Sequence, residues 1–233
     1  GNSYGYHENY LVARSVPFER LVEALTPFLV SRIVVAGAGK VGAENGAEPC
    51  AYQISQRADF FETLIGLDTM AKRPIINTRD EPHADEERYR RLHVIVGDSN
   101  MSEVSTYLKV GTTALVLAMV EDGALRRDLA LEDPVRAIKE ISHDTTCTRK
   151  VRLKRGKEFS AVELQREYLD LARAYYATVE QSPQVTDLLE RWERVLTQLA
   201  EDPRQCAREL DWVIKQALLE AYTTRKGIGF DDQ

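Results

Sequence analysis

Histidine is scarce in this chain, with four in 233 residues: His7, His83, His93 and His143. Two stand where backbone geometry would present a side chain. His7 lies in Tyr4-Gly5-Tyr6-His7-Glu8-Asn9, beside a glycine turn. His93 lies in a strand-like run over residues 91–98, where Leu92, Val94 and Val96 share one face and Arg91, His93 and Ile95 the other. Nearby runs Ile75-Ile76-Asn77-Thr78-Arg79-Asp80-Glu81-Pro82-His83-Ala84-Asp85, dense in charge yet flanked by an apolar pair and a strand. Arg57, Arg79 and Arg91 could gather on phosphate oxygens, because a guanidinium presents forked donors matched to that geometry. Neutral imidazoles beside carboxylates could complete a magnesium or phosphate site. On residue types alone the charged stretch reads equally as a solvated loop. His83 and His143 read as loop or surface residues.

A second stretch invites a nucleotide reading and does not sustain it. Val34-Val35-Ala36-Gly37-Ala38-Gly39-Lys40-Val41-Gly42 carries the GxGxxG spacing, and Asp59 follows about 20 residues on, as a dinucleotide site would require. That site also needs a helix beginning at the glycines, whose N-terminus holds the pyrophosphate. Here Ala43-Glu44-Asn45-Gly46-Ala47-Glu48-Pro49 follows, which breaks helices. A P-loop fails because Val41 stands where Ser or Thr should reach magnesium. A tight strand-to-strand connection is the expectation.

The elements that must position these residues change character along the chain. Residues 1–100 are strand-rich, with one helix expected over residues 18–31 and strands over 33–36, 51–57 and 91–98. From Met101 the pattern is helical: Val104, Leu108, Gly111, Leu115 and Ala118 share a face. Residues 150–159 read as a hairpin turning at Arg155-Gly156. Ser160 and Glu163 form a capping box ahead of Leu164, Tyr168, Leu171 and Tyr175. Leu188, Trp192, Val195, Leu196 and Leu199 form one further apolar stripe. Cys206, Leu210, Val213, Ile214, Ala217 and Leu218 form another; both read as core.

Composition limits the function classes. With 43% hydrophobic residues the chain can bury a sizeable core. A net charge of -6 argues against general nucleic-acid binding, which needs a basic face. No uninterrupted apolar run reaches the roughly 18 residues of a membrane span. Cys50, Cys147 and Cys206 are too widely spaced for a zinc cluster and read as free thiols of a cytoplasmic protein.

The motif Gly1-Asn2-Ser3-Tyr4-Gly5-Tyr6-His7-Glu8-Asn9-Tyr10 resembles the Gly-Asn-Ser-Tyr-Gly-x-His-Glu-Asn signature of the Pup ligase and depupylase family. Ser55-Gln56-Arg57, the run from Ile75 to Asp85, and Arg90-Arg91-Leu92-His93-Val94-Ile95-Val96-Gly97-Asp98 resemble it too, so the likeness covers nearly the whole chain. The resemblance implies an α+β fold similar to glutamine synthetase, an antiparallel sheet cradling the nucleotide with helices on its outer face. Residues 1–233 would be an internal part of one large nucleotide-binding catalytic domain. ATP and magnesium are the implied cofactors, with His7 and His93 beside a metal or the γ-phosphate. Arg57 and Arg79 would contact phosphate or the substrate carboxylate, and Arg79 and His93 would serve catalysis. Pup, pupylated proteins and the proteasome system are the implied partners, without nucleic acid or membrane.

The family has two activities. A ligase couples ATP hydrolysis to an isopeptide bond between the C-terminal glutamate of Pup and a lysine. A depupylase hydrolyses that bond and deamidates the C-terminal glutamine of Pup, with nucleotide bound but not turned over stoichiometrically. Thr26-Pro27-Phe28-Leu29-Val30-Ser31-Arg32, Gly46-Ala47-Glu48-Pro49, Gly66-Leu67-Asp68-Thr69 and Val104-Ser105-Thr106-Tyr107-Leu108-Lys109 resemble the depupylase. Ser99-Asn100-Met101-Ser102-Glu103 resembles the ligase. Depupylase is the expectation. The family's catalytic aspartate and metal-binding glutamates are expected upstream of Gly1, and a small terminal domain beyond Gln233. Residues 1–233 alone are therefore expected to be inactive and poorly soluble. A non-catalytic Pup-binding piece is the rival of another class. A small-molecule carboxylate–amine ligase would share the His7 motif but not the run from Asn77 to Asp85.

Overall fold

Strand alternation and helical stripes meet in one core. The computed structural model describes residues 5–67, 72–179 and 182–230. Residues 1–4 of the glycine signature, and Asp68 and Thr69, lie outside the described residues. The fold is α+β. Four strands form the main sheet in the order β1 (Gly5–Ala13), β6 (Tyr89–Asp98), β5 (Arg73–Asn77) and β4 (Phe61–Gly66). The β1–β6 and β5–β6 pairs are antiparallel, and β4 runs parallel to β5.

Two helices join β1 to the rest. The α1 helix (Phe18–Ser31) forms as expected, and Leu21, Val22, Leu25, Phe28 and Leu29 are buried along it. Residues 33–36 are a correction to the expected strand: they form one helical turn, α2 (Ile33–Ala36), with all four side chains buried. A short apolar run buried on every side carries no periodicity, so β-branched composition alone pointed the wrong way. The expected strand over 51–57 shrinks to β3 (Tyr52–Gln53), which pairs only with β2 (Lys40–Val41). The glycine stretch is thus a helix-to-strand connection, and the amide of Ala38 donates to the Asp98 carboxylate at 2.8 Å. Gly39 (φ +73°) is required sterically, since a Cβ there would lie 1.9 Å from the Tyr52 hydroxyl.

The second half supplies helices α3 (Glu103–Glu121), α4 (Pro134–Ser142), α5 (Ala161–Tyr176), α6 (Pro183–Glu201) and α7 (Asp211–Lys226). The hairpin β7 (Lys150–Arg152) and β8 (Glu158–Ser160) forms as expected, as does the Ser160–Glu163 capping box. By length and composition α3 could cross a membrane, yet 56% of its most apolar window is buried inside the fold. The α6 stripe is core. The next one is core only through Val213, because Ala217 and Leu218 on α7 are exposed. All three cysteines are free.

One cluster of buried side chains runs through both halves. At its centre Phe28 packs edge-on against Tyr168 (5.3 Å between centroids) and Trp192 (6.3 Å). The Tyr168 hydroxyl donates to the Ala24 carbonyl at 2.7 Å, tying α5 to α1. Truncating this ring leaves a cavity that its aromatic neighbours cannot close. Phe28→Ala should lower stability by about 3–5 kcal/mol, read as a reduced urea midpoint at unchanged slope; a loss below about 1 kcal/mol would contradict this packing.

Candidate functional site

The sheet has one face against α1–α3 and another bearing the polar residues singled out above. Glu8, Leu92 and Val94 are buried on the helix side, with Tyr10 partly buried there. On the other side His7, Asn9 and Leu11 are exposed along β1. In register, Asn9 stands opposite His93 and Asn77 opposite His93 from the other flank. Opposed residues share a face, so three polar side chains cross the sheet in a row. The alternation read from residues 91–98 holds from Arg91 to Val94 and breaks where Ile95 and Val96 together stand opposite His7. His93 is nevertheless only 5% exposed and Ile95 fully buried, so the face opens to solvent towards β1 and Arg91.

The structure gathers the expected residues around the histidine pair. His93 Nε2 lies 3.3 Å from His7 Nδ1, with the rings edge to face. Burial lowers the His7 pKa, helped by the charge of Arg57. Burial also drives His93 down to about 4, followed by His7 and the charges of Arg91 and Arg79. Both imidazoles are therefore held towards the neutral form. Arg57 is buried, and its Nη1 donates to the carbonyls of Ile95 (2.6 Å) and Gly97 (3.3 Å). One terminal nitrogen of its fork is thus engaged by the backbone, and its charge acts on His7.

Arg79 and Arg91 differ from it. Arg79 is half exposed, with Nε 3.3 Å from Glu81. Its loop is pinned at both ends. Asn77 Oδ1 accepts from the Arg79 amide at 2.9 Å, and Asp80 Oδ1 accepts from the Arg91 amide at 3.0 Å. Asp80 is itself held by Arg14 at 2.9 Å. Arg91 has buried Nε and Nη2 atoms with no hydrogen-bond partner; its nearest acid, Glu81, is 3.8 Å away. His93 Nδ1, on the same face, is unpartnered too. Buried polar atoms are normally satisfied, so this cluster on β6 fits an anion with several acceptor oxygens, such as a nucleotide phosphate.

The same residues fit magnesium less well. Among the described residues no three His, Cys, Asp or Glu side chains converge on one point. Magnesium takes oxygen ligands in octahedral geometry, and two imidazoles supply none. Asp98 is engaged elsewhere, accepting from Ala38 N, Gln56 N and Ser55 Oγ. Glu103 starts α3 and is exposed. His83 is an exposed loop residue as expected. His143 is not a plain surface residue: its Nε2 lies 2.8 Å from the buried Asp59 carboxylate. His143 borders a cavity of about 740 Å³ lined also by Glu48, Glu62, Arg136, Lys139 and Arg149. This larger cavity lies away from the histidine pair, which occupies an open sheet face instead. Residue types did not single out Asn9 and Asn77; the strand register that aligns the two asparagines with His93 was the missing signal.

A sequence model of the family described as Pup-ligase protein matches residues 1–233. The chain belongs to the Pup ligase family. It is 54% identical to a depupylase of Acidothermus cellulolyticus over 98% of its own length and 46% of the relative's. It is 53% identical to a Pup–protein ligase of Nocardioides sp., over 98% of this chain and 50% of that one. The structure of the Pup ligase PafA in complex with ADP matches all of this chain and 52% of PafA, with a TM-score of 0.88 at 40% identity. The complex of PafA with Pup matches with a TM-score of 0.87 at 41% identity, over 100% of this chain and 48% of PafA. The chain spans about half the length of the relatives it matches.

The depressed His93 pKa has a consequence for stability. Unfolded, the imidazole titrates near its ordinary 6.5; folded, near 4. The unfolded state therefore binds more protons between these values, and folding stability falls as pH drops from 6.5 towards 4. In metal-free buffer, His93→Gln should flatten that limb of the unfolding free energy measured by denaturant titration. An equally steep limb in the variant would show that His93 does not titrate this way.

Proposed function

We propose that this chain carries the nucleotide-binding sheet of a Pup-processing enzyme, and that the enzyme is a depupylase. It would hydrolyse the isopeptide bond between Pup and a substrate lysine and deamidate the C-terminal glutamine of Pup, within the cytoplasmic Pup–proteasome system. The observation that carries the reading is the group of unpartnered polar atoms on β6, the donors Arg91 Nε and Nη2 with His93 Nδ1 beside them. It is supported by the likeness to a Pup ligase solved with ADP and to one solved with Pup.

In this reading Arg91 and Arg79 grip the anionic groups of the nucleotide with forked, charge-assisted hydrogen bonds. A bound triphosphate would supply the acceptor oxygens that these donors lack. His7 and His93, kept towards neutrality, add hydrogen-bonding capacity without repelling the arginines. Asn77 and Asp80 hold the Arg79 loop in place. Arg57 contributes a positive charge that acts on His7. In the hydrolysis itself, water oxygen bonds to the amide carbon, the C–N bond breaks, and the amine leaves with a proton. No carboxylate among the described residues stands free on this face to activate that water, so the aspartate implied by the resemblance is assigned to another part of the enzyme.

The ligase is the second reading. It is favoured by the 53% identity to a Pup–protein ligase and by the residues 99–103. Mass spectrometry separates the two in the full-length protein with ATP and magnesium. A depupylase converts Pup ending in glutamine to the acid and releases Pup from a conjugate. A ligase leaves the amide intact and joins Pup ending in glutamate to an acceptor protein. If neither occurs while Pup still binds, the chain belongs to a binding protein.

The arginine assignment has its own test. Lysine keeps the charge of Arg79 or Arg91 but cannot form a fork. Each substitution should weaken ADP binding about 10-fold or more by calorimetry, since a hydrogen bond to a charged group contributes about 1.5–3 kcal/mol. Unchanged affinity in both variants would reduce the two arginines to surface charge. In the same assays His7→Ala should abolish most Pup turnover while leaving the unfolding midpoint close to that of the parent.

A further inference from the structure

His7 owes its position to an irregular strand pairing. From Ala13 opposite Tyr89 to Glu8 opposite Val94 the β1–β6 ladder is regular, and then the register shifts so that Tyr6 faces Gly97. Ile95 and Val96 together stand opposite His7 alone. The extra residue is in β6, whose local bend and twist let the facing imidazole of His7 reach His93. A bulge interrupts the ladder where it forms, so other contacts must hold it.

Those contacts come from two buried cations on the helix side of the sheet. Arg32, which follows α1, grips Glu8 with both nitrogens, at 2.7 Å to Oε1 and 2.8 Å to Oε2. Its Nη1 also donates to Thr113 Oγ1 at 2.6 Å and to the Lys109 carbonyl at 3.1 Å. Lys109 lies in the middle of α3, fully buried, with its Nζ 3.5 Å from the centroid of the Tyr6 ring. That ammonium donates to the Asp98 carbonyl at 2.8 Å and to Asn100 Oδ1 at 2.9 Å. The residues on either side of His7 are therefore each fixed from below, Tyr6 by Lys109 and Glu8 by Arg32. Gly97 completes the arrangement: a Cβ there would stand 2.8 Å from Glu8 Oε1.

We infer that Arg32 and Lys109 are positioning residues, which lock β1 against the bulge of β6 and thereby set His7 on His93. Neither side chain reaches the open face. The inference rests on the reading of His7 as part of the functional site, and the test separates the two.

The experiment uses the full-length protein with isotope-labelled histidine. The cross-peaks of the His7 ring are assigned by their loss in His7→Gln. Two variants are compared with the parent. Lys109→Met keeps the stem and removes the ammonium. The double variant Glu8→Leu/Arg32→Met removes both charges, because an apolar pair can replace a buried ion pair without unfolding the protein. In both, the contact between the His7 and His93 rings should disappear while cooperative unfolding persists. For deamidation of Pup, kcat should fall roughly 10- to 100-fold, as expected for a misplaced group, with KM for Pup unchanged. A folded variant that retains the ring-to-ring contact overturns the positioning role. Loss of that contact with kcat intact supports the positioning geometry and overturns the catalytic importance of His7.

Discussion

Two charges of opposite sign lie under the sheet, and the rest of the site depends on them. Glu8 and Arg32 are each almost completely buried. Taking both out of water costs several kcal/mol per ion, which only a bidentate contact with further hydrogen bonds can offset. The structure provides these: two short contacts between the pair, the Tyr10 hydroxyl on Glu8, and Thr113 and a carbonyl on Arg32. Burial alone would raise the Glu8 pKa, but the guanidinium and the hydrogen bonds hold it below the ordinary range. The pair joins the start of β1 to the junction of α1 and α2 and to α3. Removing one partner would strand the other charge in the core, so these elements move together or not at all.

Lys109 and Asp98 extend the same layer. Burial pulls the Lys109 pKa down to about 8 despite Glu8 and Asp98 nearby. Asp98 is fully buried, and burial raises its pKa although three donors reach it. Its oxygens hold Ala38, Ser55 and Gln56, next to Arg57, whose charge acts on His7. The glycine stretch around Gly37–Gly39 is therefore not a place where phosphate would bind. Its amide at Ala38 already has an anion, supplied by the protein, and its glycines let β3 and α7 approach.

Legibility in the sequence followed the physics of each element. Long amphipathic patterns such as α1, α5 and α6 were readable because their apolar spacing repeats over several turns. Residues 91–98 were readable because charge and apolarity alternate. Residues 33–36 were not, since uniform burial erases the period that distinguishes helix from strand. The α7 stripe misled for the opposite reason: spacing shows which residues share a face, not whether anything covers it. For the site, His7, His93, Arg57 and Arg79 could be picked out by residue type, and the structure brings them together. The partners that hold them could not. Arg32 follows an apolar run and Lys109 interrupts an apolar helix. Each was an available sign of a buried charge, but its counterpart lay far away in sequence.

The histidine pair also bears on what this face can hold. An imidazole beside an arginine and a second imidazole resists protonation, and His93 stays neutral down to about pH 4. A neutral pair can either coordinate a cation or donate a hydrogen bond to an anion. The surrounding charges decide between these. Arg57, Arg79 and Arg91 all bear on the pair, while Glu81 is the one carboxylate among the main influences on His93. A divalent cation placed there without further oxygen ligands would meet net repulsion, whereas an anion would meet three guanidinium groups. The residues of this face, taken by themselves, therefore favour an anion over a bare divalent cation.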